Sequence, residues 1–157
     1  MSSVTADPAL DPHEVDIPAL LEALTALRHG DFTVRLPSDW VGLSGKVGDT
    51  FNAVMDQMEG MTDEIDRISR VVGKEGKIKQ RASQNGLRGA WGGTIDSVNA
   101  LISDLVHPTS EMARVIGAVA KGDLSKSMAL DLDGRPLEGE FLRTAKTVNR
   151  MVDQLGS

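Results

Sequence analysis

The sequence predicts an all-α protein made of three consecutive helix–connector–helix units. One observation is a helix that occurs three times with the same apolar pattern, and a second is a glycine-led connector that recurs every 46 residues. The third is a scarcity of aromatic residues, two Trp and three Phe with no Tyr in 157 residues, which suits helices packed side by side. The predicted parts are a flexible lead over residues 1–16, repeat 1 over 17–58, repeat 2 over 59–106 and repeat 3 over 107–157.

The second helix of each repeat is defined by an ungapped alignment of residues 42–58, 89–105 and 139–155. Four apolar columns follow the spacing 4, 3, 4, which is typical of the seam of a left-handed helical bundle. The members of this seam are Val47, Phe51, Val54 and Met58, then Thr94, Val98, Leu101 and Leu105, then Thr144, Val148, Met151 and Leu155. One further column contains asparagine in every copy, as Asn52, Asn99 and Asn149.

Each connector begins with glycine, followed two positions later by an apolar residue and four positions after that by another, which we call the anchor. Glycine at a helix C-terminus adopts the left-handed conformation that ends the helix. The two apolar residues suit a linker that lies along a bundle and places side chains in its grooves. The three sets are Gly30, Phe32 and Leu36; Gly76, Ile78 and Ala82; and Gly122, Leu124 and Met128. An apolar first helix precedes each glycine, over residues 17–29, 62–72 and 109–121.

The junctions between repeats predict helices that run from one repeat into the next. After Met58 the spacing continues unbroken, so one helix is expected to pass through Gly60 at a cost of about 1 kcal/mol relative to alanine. At the second junction the pattern needs one extra step of four near Pro108, which favours continuous helix or a mild kink. The seam residues beyond the two junctions are Met61, Ile65, Ile68 and Val72, and Met112, Ile116 and Val119.

A single repeat is too small to be stable alone. About 46 residues lie near the size below which a chain rarely buries enough apolar surface to fold without help. The connector is long enough to run back along a four-turn helix, so the two helices of a repeat can lie parallel. A second copy would then complete a parallel four-helix bundle, which predicts a homodimer.

Residues 17–156 resemble the HAMP domain, the signal relay of sensor histidine kinases and chemoreceptors, in three copies. The resemblance rests on the connector pattern and the Phe-Asn or Val-Asn pair of the second helix. Stretches such as VVGKEGKI, GAWGGTIDSVN, AVAKGDLS and EGEFLRTAKTVNRMVDQL are similar to tandem HAMP arrays of soluble hybrid histidine kinases. The resemblance implies that each repeat forms a parallel homodimeric four-helix coiled coil. It also implies that the chain transmits its conformational state to an output domain in the same polypeptide. The family's usual Asp-Glu at the start of the second helix remains only as Glu140, with Leu43 and Ala90 in its column.

The first helices differ in register. Counting back from the glycine, the apolar residues of repeats 1 and 3 match, whereas in repeat 2 Ile65 and Val72 lie one residue further away and Ile68 two. We expect repeat 2 to pack in a different helical rotation, so that neighbouring repeats bias one another. The residues compared are Leu20, Leu24 and Leu27; Ile65, Ile68 and Val72; and Met112, Ile116 and Val119. Met58 and Met61 suit such a relay because an unbranched thioether repacks at low cost.

Other residues allow two interpretations each. The asparagine column is either a buried polar register pin or a solvated or capping position beside the seam. Trp91 and Phe141 are expected to fill the end of the bundle rather than contact a ligand. His13, His29 and His107 are expected to lie at the surface, because no kinase motif accompanies them. The glycine-rich residues 86–93 lack the strand and Lys-Ser/Thr of a phosphate loop. No catalytic, cofactor-binding or metal-binding residue is predicted.

Composition narrows the partners and the compartment. The net charge is −6 and the 17 basic residues are scattered, so neither nucleic acid nor an anionic membrane is an expected partner. Cysteine is absent, which fits a reducing compartment. No apolar run is long enough to span a membrane and no signal peptide is visible, so a cytoplasmic chain is expected.

The predicted function is a non-enzymatic signalling relay, expected to be a fragment of a sensor histidine kinase. A chemoreceptor fragment, a free-standing dimeric adaptor and a histidine phosphotransfer protein stay open as alternatives. The expected partners are a second copy of the chain and an output domain. The stimulus, the output and the active packing state are not encoded in any recognisable motif.

Overall fold

The computed structural model describes residues 3–5, 11 and 14–157. The described residues are mostly helical, as predicted. The elements, in chain order, are α1 (Ile17–Arg28), α2 (Gly42–Ile68), a π-helical segment (Ser69–Lys74), α3 (Gly89–Ala120), β1 (Asp131–Leu132), β2 (Arg135–Pro136) and α4 (Gly139–Leu155). They form two compact units, Met1–Asp96 and Ser97–Ser157.

The N-terminal unit has its core where α1, the first connector and α2 meet. Met55, which is fully buried, lies in this core with other apolar side chains from all three segments. Helix α1 begins where the Asp16 carboxylate accepts a hydrogen bond from the Ala19 amide, 3.1 Å away. The buried members are Val4, Ala19, Ala23, Leu36, Trp40, Phe51 and Met55.

The structure describes residues 3–5, 11 and 14–16 of the predicted flexible lead. Val4 and Asp16, both within residues 1–16, are buried, and Val4 is a member of the core just described. Its amide donates a 2.9 Å hydrogen bond to the Arg35 carbonyl. Residues 3–5 are therefore packed against repeat 1.

Helix α2 crosses the first junction as predicted. It includes Gly60 and continues directly into the π-helical segment, so the backbone is helical from Gly42 to Lys74. Thr62, which resembles a helix start in the sequence, instead lies inside the helix and donates its hydroxyl to the carbonyls of Met58 and Glu59. Helix α3 likewise continues through Pro108, where the sequence allowed a mild kink.

The C-terminal unit packs the later part of α3 against the third connector and α4. Its buried members are Val115, Met128, Ala145, Val148 and Val152. The connector contains a two-stranded antiparallel hairpin that the sequence analysis did not predict, with Leu132 opposite Arg135. Asp133 and Gly134 form its turn with φ of 51° and 75°, the two positive values that a type I′ turn requires.

None of the described helices has the length and apolarity needed to cross a membrane.

Candidate functional site

The predicted seam is partly exposed on the single chain, in α3 and α4. Phe51, Ile68 and Val148 are buried, whereas Leu101 and Leu155 are 59% and 55% exposed. The half-buried seam residues are Val47, Val54, Met58, Met61, Ile65, Val72, Val98, Met112 and Val119. The other exposed ones are Thr94, Leu105, Ile116, Thr144 and Met151. The exposed seam residues therefore all belong to α3 and α4, whereas the seam of α2 is buried or half-buried.

A second apolar stripe, displaced by one position from the seam, makes the contacts inside each repeat. Met55 in α2 and Val152 in α4 occupy the same column of the alignment, and both are buried. Ile95 and Ala145, also fully buried, share another column. This inner stripe was not predicted, because its residues lie next to seam residues and because Phe51 and Val148 belong to both stripes. Comparing the columns on both sides of the seam would have revealed it.

The asparagine column attaches the connector to the second helix. In repeat 1, the Asn52 side-chain amide donates to the Leu36 carbonyl at 3.0 Å, and its oxygen accepts from the Leu36 amide at 2.8 Å. In repeat 3, Asn149 makes the same pair of bonds with the Met128 backbone, at 3.0 and 2.7 Å. We call this arrangement the asparagine clasp. In these two repeats the half-buried side chain fixes one connector residue opposite one helical position.

The connector glycines and anchors lie where the pattern predicts. Gly30, Gly76 and Gly122 have φ of 82°, 70° and 85°, the left-handed conformation. The anchors Leu36, Ala82 and Met128 are buried, whereas the first apolar residues, Phe32, Ile78 and Leu124, are only half-buried or exposed. The anchor thus carries most of the connector's packing.

A Glu–Arg pair on the first helix holds the connector in repeats 2 and 3. Arg67 bonds Glu64 through its Nη2 atom at 2.6 Å and also donates to the Arg81 carbonyl at 3.3 Å. The same Glu64 carboxylate accepts from the Ser83 amide at 2.9 Å. We call this the Glu–Arg clamp. The hydrogen bond from Arg67, followed by that from the Ser83 amide, lowers the pKa of Glu64 below its usual value.

Repeat 3 contains the equivalent clamp. Arg114 bonds Glu111 at 2.8 Å and donates to the Ser127 carbonyl at 3.1 Å. The hydrogen bond from Arg114 lowers the pKa of the Glu111 carboxyl. In both repeats the accepting carbonyl belongs to the residue just before the anchor. These pairs were not predicted, although a Glu-x-x-Arg pattern is visible in the first helices of both repeats.

The π-helical segment accounts for the shifted register of repeat 2. Its wider turn contains one residue more than the α-helix ends of repeats 1 and 3, and the Glu75 amide bonds the Arg70 carbonyl five residues back. Ile68, directly N-terminal to the segment, is buried like Val115 of repeat 3. Ile68 precedes Gly76 by one residue more than Val115 precedes Gly122. The extra residue is therefore absorbed locally. Within the chain, the same face of the first helix meets the connector in repeats 2 and 3. The expected change of helical rotation between repeats of a dimer stays a prediction.

The hairpin of repeat 3 contacts the helix ahead of Pro108. Arg135 of β2 forms an ion pair with Asp104 of α3 at 3.1 Å. Glu140, the remaining acidic residue at the start of the second helix, pairs with Arg143 one turn further along α4 at 3.2 Å. Both pairs are exposed, so each contributes little stability on its own.

The remaining candidate residues lie at the surface. Trp91 and Phe141 are each 41% exposed on the single chain, so they do not fill a closed core within it. His29 and His107 are exposed, and His13 lies outside the described residues. Among the described residues, no group of three or more His, Cys, Asp or Glu side chains is arranged to bind a metal ion.

These features define a helical module that joins two helices by an anchored connector and, in α3 and α4, leaves apolar seam residues exposed. Residues 86–156 match the family model of the HAMP domain, so one HAMP domain is found in this part of the chain. The match includes the whole connector and second helix of repeat 3, together with the second helix of repeat 2. HAMP domains are non-catalytic signalling modules, and the match indicates a signal-transduction relay.

Proposed function

We propose that the chain is a non-catalytic relay of a sensor histidine kinase, built from three tandem HAMP units in a parallel homodimer. The relay converts a rotation or tilt of the helices into a changed state of an output domain in the same polypeptide, and it acts in the cytoplasm. The domain match over residues 86–156 supports one unit. The repetition of its connector glycine, anchor and asparagine supports two more, over 17–58 and 59–106.

The exposed seam is the observation that carries the proposal. Leu101, Leu105, Ile116, Met151 and Leu155 are each between 37% and 59% exposed, in columns that recur at the spacing of a helical bundle. Fully burying a large aliphatic side chain contributes about 1.5–3 kcal/mol, so completing the burial of each contributes on the order of 1 kcal/mol. Summed over two chains, this supports a stable association through the seam.

A sedimentation experiment tests the association. Wild-type chain is expected to sediment as a dimer, and Leu101→Lys combined with Leu105→Lys as a monomer, because two charges would enter the apolar seam. Ala100→Lys adds a charge at an exposed position of the same helix outside the seam and should leave the dimer intact. A wild-type chain that remains a compact monomer at every concentration would refute the homodimer.

A phase experiment tests the relay itself. Inserting two residues after Gly60 of α2 breaks the heptad phase between repeats 1 and 2 and should uncouple stimulus from output in the full-length receptor. Inserting seven residues at the same point restores the phase and is the matched control. Equal signalling by both insertions would contradict transmission through this helix.

A further inference from the structure

The carbonyl just before the anchor accepts a hydrogen bond in every repeat, but the donor differs. In repeats 2 and 3 the donor is the arginine of the Glu–Arg clamp, to Arg81 and Ser127 respectively. In repeat 1 the Arg35 carbonyl accepts instead from the backbone amide of Val4, at 2.9 Å. A segment outside the repeat thus supplies the bond that the clamp supplies elsewhere.

Repeat 1 lacks the clamp residues. Glu111 and Arg114 lie eleven and eight residues before Gly122, and the same distances before Gly30 give Ala19 and Glu22. Neither of these can donate a side-chain hydrogen bond to the connector carbonyl, because alanine has no polar group and an ionised carboxylate only accepts. Repeat 1 therefore needs another donor at this point.

Residues 3–5 fill this position in the manner of a β-strand. Val4 is 5% exposed and belongs to the same buried cluster as Ala19 and Leu36, whereas Ser3 and Thr5 are exposed on either side. Ser3 also pairs with Arg35 in a parallel bridge. Alternating burial and a main-chain bond to the connector are the marks of strand addition.

We infer that the connector of repeat 1 contains a docking slot for an extended segment, and that residues 3–5 occupy it as a strap that replaces the missing Glu–Arg clamp. The slot consists of the Arg35 carbonyl and the apolar cluster that Val4 joins, which also contains Ala19 and Leu36. Release of the strap removes one of the restraints on the first connector, which Asn52 also holds, while the clamps of repeats 2 and 3 stay closed. The inference stands on these contacts alone and does not require the relay function.

A spin label tests whether the strap is docked. The chain contains no cysteine, so Ser3→Cys allows a nitroxide to be attached at a single site. The label should broaden the NMR signals of the Arg35 and Leu36 amides. Adding Val4→Asp should abolish the broadening, because a carboxylate cannot enter the apolar cluster. Thr5→Asp adds the same charge at the adjacent exposed residue and should preserve it. Absence of broadening in the labelled chain, or broadening that survives Val4→Asp, would overturn the inference.

Hydrogen exchange tests whether the strap does the work of a clamp. The Leu36 amide, bonded to Asn52, should exchange about tenfold faster in Val4→Asp, the factor expected for the net loss of roughly one hydrogen bond. Adding Ala19→Glu and Glu22→Arg to that variant rebuilds the clamp and should slow the exchange again. The Met128 amide of the other unit serves as an internal control and should not change.

Two results would refute this part: unchanged Leu36 exchange in Val4→Asp, or a rebuilt clamp that fails to slow it. Val4→Ala shortens the side chain and keeps the backbone donor. Val4→Ala should also accelerate exchange of the Leu36 amide, but by a smaller factor than Val4→Asp. This variant keeps the inference testable if Val4→Asp unfolds the unit.

Discussion

Replacing Asn149 by alanine should destabilise the C-terminal unit by about 2–4 kcal/mol. The substitution removes both hydrogen bonds of the clasp, of 2.7 and 3.0 Å, to the backbone of Met128. Met128 is only 3% exposed, so water cannot readily replace the lost partners. Each buried group left without a partner costs about 1–3 kcal/mol. Two such groups would cost about 2–6 kcal/mol, and because Asn149 itself is half-buried we expect the lower part of that range.

Urea denaturation followed by circular dichroism measures the free energy of unfolding, and hydrogen exchange measures the Met128 amide directly. Asn149→Asp keeps the acceptor but not the donor, so it should restore protection of the Met128 amide while stability stays below wild type. Arg150→Ala, at the adjacent exposed position of α4, is the control and should change stability by less than about 0.5 kcal/mol. If Asn149→Ala proves as stable as this control and Met128 stays protected, the clasp does not hold the connector.

Three further predictions concern the N-terminal unit. Deleting Gly73 should convert the π-helical segment into an ordinary α-helix end and leave the Glu64 clamp closed; NMR of the clamp region checks this, and a broken clamp would contradict local absorption of the extra residue. Because the pKa of Glu64 is lowered on folding, its contribution to stability is present above its usual pKa of 4.5 and is lost as pH falls through the lower folded value. Urea midpoints of wild type and Glu64→Gln should therefore converge below pH 4.5, and parallel curves would exclude this linkage. Gly45→Ala places a methyl group 2.6 Å from the Trp40 carbonyl oxygen and should destabilise by about 1–3 kcal/mol. Gly60→Ala, with no described atom within 4 Å of the new methyl, should stabilise by about 0.5–1 kcal/mol; equal thermal melting shifts for both would refute the steric argument.

The helices, connectors and anchors could be predicted from the sequence because each leaves a periodic signal. Continuity through Gly60 and Pro108 followed from the spacing of apolar residues on both sides. The left-handed Gly30 and its equivalents followed from the conformational freedom of glycine, which is a local property of the backbone. These features depend on interactions between residues that are close in the sequence, so the order of residues is enough to predict them.

The contacts between segments were harder to predict. The extra residue before Gly76 is visible in the sequence, but only the backbone reveals whether it rotates the helix or widens one turn. The hairpin turn at Asp133 and Gly134 carries a recognisable Asp-Gly signal, which a comparison based on glycines and anchors alone passes over. Residues 3–5 are too few for any periodicity, so their docking on the connector could not be inferred. The asparagine column was visible, but its partner was not.

The asparagine clasp bonds only backbone atoms, so it does not depend on which side chain the bonded residue has. Leu36 and Met128 are held by the same two bonds although their side chains differ in shape and flexibility. The register of the connector, which the clasp sets, can therefore be changed independently of the core packing, which the anchor side chain sets. A protein engineer could vary the volume at position 36 or 128 to soften or stiffen one unit without letting the linker slip.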